Sequence, residues 1–188
     1  MKDIYNKIIS FDACYDPKEI GMPEDCSGEL SEIVKYYRGK VKNPEDILWA
    51  ACRKEAMNSK TLRLLACWGA RRMFKCVGEV NPISFRAVEA SERYALGLID
   101  LDTLITYRNE IEKSAYSAID IIDFSVRWMA FCSTAPSASS AFHDVSCICM
   151  SIGQKLSPPI KKDKIVNEFI DRLIKVLKKD EERNEQKM

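Results

Sequence analysis

The chain has 188 residues, a size that suits a single domain. Its apolar fraction of 46% is ample for a core, and a formal net charge of +1 supplies no global field toward nucleic acid or an anionic membrane. No apolar run approaches the roughly 18–20 residues of a bilayer span, and the acid-bearing N-terminal stretch has no apolar signal region, so a cytoplasmic protein is expected.

In chain order, residues 2–10 read as a short amphipathic helix with Ile4, Ile8 and Ile9 on one side. Residues 11–28 read as a long loop, punctuated by Asp16-Pro17, Gly21, Pro23 and Ser27-Gly28. Loops of that length in a domain are tied down or functional. Glu29 to Arg38 is a helix with Leu30, Ile33, Val34 and Tyr37 on its buried side and Gly39 as its stop. Asn43-Pro44 opens another, with Glu45 and Asp46 set against the positive helix end and Ile47, Leu48, Ala51 and Cys52 as its apolar face.

The stretch from Lys60 to Gly97 reads as the centre of the domain. Ser59 is the candidate N-cap, and Leu62, Leu65, Ala66, Gly69, Met73 and Val77 recur at helical spacing up to a stop at Gly78. Asn81-Pro82 restarts the chain, Ile83, Ala87, Ala90 and Tyr94 form the next stripe, and Gly97 ends it. Small residues, Gly69 and Ala66 among them, are expected to let these two helices approach closely as a hairpin.

Asp100 and Asp102 then compete to cap a long run whose face carries Leu101, Leu104, Ile105, Ile111, Ala115, Ala118 and Ile122. The period drifts near Ser117–Asp120, so the run is one bent helix or two. Ala135-Pro136 ends it, and Ser137 caps a small-residue helix expected to be buried on most sides. Ser157-Pro158-Pro159 is a break, after which Lys161 to about Lys179 forms the last helix. Residues 1–179 therefore read as one all-α domain, an irregular bundle or array of seven to nine helices, and residues 180–188 as a disordered charged tail.

Eight cysteines raise the question of disulfides or metal. Cys52, Cys67, Cys76 and Cys132 fall within apolar helical patterns, and Cys147 and Cys149 are spaced to diverge on a helix. With one histidine, His143, the pattern supports no metal centre, and no cofactor motif accompanies it.

The run LRLLACWGARRMF, then FRAVEASERYALG and ID..TL, resembles a family of bacterial α-helical proteins of largely unknown function, akin to proteins labelled as immunity proteins of toxin systems. Leu62, Arg63, Leu64, Ala66, Cys67, Arg71 and Arg72, then Arg86, Ala87, Val88, Glu89, Glu92, Arg93, Tyr94, Ala95 and Gly97, carry the likeness, which covers about 45 residues with a fainter Ala/Ser-rich continuation through His143. The resemblance implies a helical fold and a protein partner of toxin or defence type, and it brings no catalytic residues.

Candidate functional residues follow from charge. Trp68, Arg71, Arg72 and Lys75, with Arg86 and Arg93 on the next helix, could form a cationic patch, with Trp68 and Arg72 stacked one turn apart. Internal pairing with Glu89 and Glu92 is the competing reading. Acids of the long loop, Asp16, Glu24 and Asp25 among them, could face a basic partner, or simply be solvated. Asp120, Asp123 and the His143-Asp144 pair lack any accompanying nucleophile motif, which favours structural roles. The expectation is a non-enzymatic interaction protein of immunity or anti-defence type that occludes a partner. The alternative is a helical protein binding a small anionic ligand or nucleotide in an arginine-lined pocket. Near-neutral charge argues against DNA binding.

Overall fold

The computed structural model describes Lys18 and residues 29–41, 43–52 and 57–185. The helix predicted over 2–10 and nearly all of the loop over 11–28 lie outside the described residues. Among the described residues the chain forms eight α-helices and no strand, as the periodicity predicts. These are α1 (Leu30–Tyr37), α2 (Glu45–Ala51), α3 (Ser59–Val77), α4 (Pro82–Ala95), α5 (Leu101–Ala115), α6 (Ile121–Ser133), α7 (Ala138–Lys155) and α8 (Lys162–Glu185).

Local chemistry sets most of the boundaries. The first backbone N–H groups of a helix have no intrahelical acceptor, and side-chain oxygens supply one. Asn81, Asp100 and Ser137 cap α4, α5 and α7, accepting from the N–H groups of Ile83, Thr103 and Ser140. For α3 the cap is Asn58 rather than Ser59, its side chain accepting from Thr61 N at 2.8 Å. Amide oxygens serve this role as well as hydroxyls, and the chain enters the helix one residue earlier than read. The drift near Ser117–Asp120 resolves as a true break between α5 and α6. Asp120 stands at the new start and accepts from Ile122 N and Asp123 N, both at 2.8 Å. Asp120→Ala is therefore expected to lower stability by about 1 kcal/mol, with Asp120→Asn retaining most of it. Urea denaturation of the two variants checks this, and equal losses would show that the cap is not the cause.

Two glycines close helices by taking positive φ. Gly78 has φ of 87° and Gly97 has φ of 73°, backbone that residues with a Cβ rarely adopt. At Gly97 the closure is complete: Leu98 N donates to Arg93 O at 2.9 Å and Gly97 N to Tyr94 O at 3.0 Å, so two terminal carbonyls of α4 are satisfied. The last helix has no such stop. It continues past Lys179 to Glu185, where a disordered tail was expected, because KKDEERNE contains neither Gly nor Pro and is rich in helix formers.

Helix α3 is the hub. It packs against α7 most extensively, then α4, α6 and α8. The flank α4–α5–α6 covers one side, while α1 and α2 rest on α8 at the other. Leu62, Leu65, Ala66, Ala70 and Met73 of α3 are essentially inaccessible, as are Ala141, Phe142, Val145 and Cys149 of α7. The small residue Gly69 does not serve the α3–α4 hairpin as expected. A Cβ there would overlap the Phe169 ring of α8 and stand 3.3 Å from Val145 Cγ1 of α7, so its missing side chain admits those two helices. α7 is buried on one face, leaving Ser140, His143, Cys147 and Ser151 exposed on the other. α1 is fastened to α8 by Arg38, which reaches Asn167 at 2.8 Å and Asp171 at 2.5 Å.

Among the described residues two cations are buried, Arg63 and Arg127. Arg63 is 2% exposed and donates to Ser133 O at 3.2 Å and Pro136 O at 2.9 Å, at and just past the end of α6. Burial pulls its pKa below the ordinary arginine value, while the carbonyls of a helix C-terminus offset the desolvation.

Candidate functional site

The arginine cluster is divided between two seams. Arg71 forms a two-pronged pair with Glu92 of α4, Nε to Oε1 at 2.6 Å and Nη2 to Oε2 at 2.7 Å. Arg72 turns to α8, where Nε lies 3.0 Å from Glu168 Oε2, and it also touches Cys76 Sγ. The facing carboxylate raises the pKa of each arginine. Planar, paired geometry of this kind is the strong form of a charged hydrogen bond, and it stitches α3 to its neighbours. Trp68 is half-buried, edge-on to Phe169 at 5.2 Å between centroids, and the cation over it is Arg172 at 6.0 Å, not Arg72. Lys75, Arg86 and Arg93 are exposed and form no ion pair among the described residues, so the bridges expected from Arg86, Glu89 and Arg93 are absent there. Asp16, Glu24 and Asp25 lie outside the described residues.

The titratable residues of the second half sort similarly. Asp120 is occupied as a cap. Asp123 receives Arg127 at 2.7 and 2.6 Å, beside a cavity of about 550 Å³. His143, Asp144 and Cys147 do meet: Nδ1 lies 3.2 Å from Asp144 Oδ1, and Nε2 lies 3.9 Å from Cys147 Sγ. His143 and Cys147, though not Asp144, line a cleft of about 330 Å³ together with Trp49, Glu45 and Lys162. Carboxylate, imidazole and thiol in that order is the arrangement that activates a sulfur nucleophile. Two facts oppose it. Burial and the nearby Asp144 push the Cys147 thiol up, away from thiolate. Cys147 also sits mid-helix, where backbone N–H groups are committed to carbonyls four residues back and cannot hold an oxyanion. Ser139, near His143 in sequence, donates to Cys52 O. The buried thiols of Cys67 and Cys132 are pushed up to about 12 by desolvation, and Cys149 higher still. Among the described residues no group of three or more His, Cys, Asp or Glu could hold a metal ion.

What the sequence reading missed is apolar. Periodicity places Leu101 and Ile105 on the core face of their helix, yet they are 40% and 37% exposed, beside Leu96 at 50% and Leu98 at 63%. Among the described helices α5 packs substantially on α4 and α6 alone, and Leu104, Ile111 and Ala115 are its buried residues. Leu101 and Ile105, one turn apart, are left facing solvent at the α4–α5 corner. At the far end of α5, Tyr116, Ile119 and Ile121 are 73%, 91% and 58% exposed. The available signal was the width of the stripe, which exceeds what a two-sided contact can cover.

Fold and site together define the class: a multi-helix all-α protein with an exposed apolar corner, in which no described helix is long and apolar enough to cross a membrane. Comparison with protein-family models, curated proteins and solved structures returns no match.

Proposed function

We propose that this chain is a non-enzymatic interaction protein that docks a protein partner on the α4–α5 corner and acts as an inhibitor of immunity or anti-defence type. The observation that carries the reading is the exposure of Leu96, Leu98, Leu101 and Ile105 in one short segment. Contiguous exposed apolar side chains are uncommon in monomers and mark contact sites. The segment is also held firmly: Gly97 closes α4, Asp100 accepts from Thr103 N at 2.8 Å, and Leu104 is fully buried beneath. A preorganised knob loses little freedom on docking, which favours tight binding. Arg93, exposed one turn before Gly97, adds a cation at the rim. The corner falls within the stretch that resembles the immunity-like family, and this likeness supports the choice of a toxin or defence component as partner.

The test is capture with the tagged protein from its host, genomic neighbours co-expressed, followed by affinity measurement on the partner recovered. A single partner in near-stoichiometric amount is expected. Leu98→Asp with Ile105→Asp should weaken it at least ~30-fold, the scale of a hot spot, with helical content unchanged because both side chains face solvent. Binding that survives the double variant would remove the corner from the reading, and recovery of no partner would remove the function.

A further inference from the structure

We infer a second, separate site: an anion cleft between the start of α3 and the C-terminal half of α8, shaped for a phosphoryl group. A cavity of about 190 Å³ opens there, with Lys60, Arg172 and Lys179 around it and Leu64 and Val176 among its apolar walls. The described residues that line it include three cations and no carboxylate. Five cations at helix seams are paired with carboxylates: Arg38 with Asp171, Arg71 with Glu92, Arg72 with Glu168, Lys162 with Glu45 and Lys178 with Glu32. Lys60, Arg172 and Lys179 form no ion pair among the described residues. Three like charges around one hollow repel one another, and an anion between them relieves that repulsion.

Two further features favour a phosphoryl group over a diffuse cloud of counterions. Arg172 lies over the Trp68 ring, which restrains a side chain that would otherwise be free. The 19-residue α3 begins at this cleft with no acid in its first turn, so its positive end is uncompensated. Asn58 occupies Thr61 N, leaving the amide of Lys60, which lines the cavity, without an intrahelical acceptor. Planar guanidinium, two ammonium groups and an amide donor are the recognition set of phosphate or diphosphate. This site shares no residue with the α4–α5 corner and does not depend on the proposed function.

Titration calorimetry of the full chain with inorganic pyrophosphate at low salt tests the assignment. Binding in the micromolar to low millimolar range is expected, weakened about tenfold or more in Lys60→Gln/Lys179→Gln and in Arg172→Gln. Lys75→Gln/Arg86→Gln, which removes two exposed cations elsewhere, should bind as the parent does. Tighter binding of adenosine triphosphate than of pyrophosphate would assign the phosphoryl group to a nucleotide; equal or weaker binding would assign it to free phosphates. No heat at about 10 mM pyrophosphate, an unaffected Lys60→Gln/Lys179→Gln variant, or equal weakening in the Lys75→Gln/Arg86→Gln control would each overturn the site.

Discussion

Phe169→Ala is expected to cost the fold about 3–5 kcal/mol, the range for deleting a buried aromatic ring. The ring is 2% exposed and lies where three helices converge. It meets Trp68 of α3 edge-on at 5.2 Å and Phe142 of α7 at 5.9 Å between centroids. It also fills the space above Gly69, where a Cβ would stand 2.9 Å from its Cε1. The same geometry gives the reverse experiment. Gly69→Ala gains roughly 1 kcal/mol of helix propensity, but the added methyl must displace the ring, and overpacking costs about 1–3 kcal/mol. A net loss follows in the parent. With Phe169→Ala in place the methyl enters vacated space and becomes neutral or stabilising. Denaturant midpoints for the four proteins of this cycle decide the matter. Additive effects would mean that ring and glycine do not share the space.

The second large effect lies at the α5–α6 break. Arg127 is 7% exposed and gives its guanidinium to Asp123, to Ser114 O at 2.8 Å and to the hydroxyls of Ser114 and Ser117. Arg127→Met retains the bulk and removes every donor, leaving the Asp123 carboxylate partly buried without its cation. A loss of about 2–4 kcal/mol is expected, below the value for a fully buried pair because Asp123 keeps some exposure. Asp123→Asn in the same chain removes the stranded charge, so the double variant should lose less than the sum of the two. The pH dependence supplies a separate reading. Burial acts to raise the Asp123 pKa, but Arg127 and the Ile119 N–H hold it below the ordinary 3.8. A depressed carboxylate contributes stability that is complete above its unfolded pKa and disappears as pH falls through the folded one. The parent should therefore lose stability on acidification below about pH 4. Arg127→Met should lose less over that interval, and identical acid limbs would exclude the pair as a source.

The caps show which information is local. Asn81, Asp100, Asp120 and Ser137 act within three residues of themselves, and Gly78 and Gly97 act through their own φ, so a few letters suffice to find them. Even Asn58 lies one position from the expected Ser59. Arg72 is different, because its partner Glu168 stands 96 residues away and no short window contains both. The acceptors of Arg63, Ser133 O and Pro136 O, are likewise 70 and 73 residues away. Leu101 and Ile105 mark the limit of periodicity itself. A stripe reports which side of a helix is apolar, not whether another helix arrives to cover it. For that reason Leu101 and Ile105 read as core although they are exposed, while Arg71 and Arg72, which read as a surface patch, hold α3 to its neighbours.

The position of α3 in the chain also bears on biosynthesis. Every described helix that packs substantially on it, α4, α6, α7 and α8, is made after it, and α7, the most extensive of them, begins 61 residues beyond Val77. At ribosomal speed that interval is roughly 3–12 s. For those seconds the apolar flank of the nascent helix lacks α7, the most extensive of its later covers, and it is most exposed to aggregation then rather than in the finished molecule.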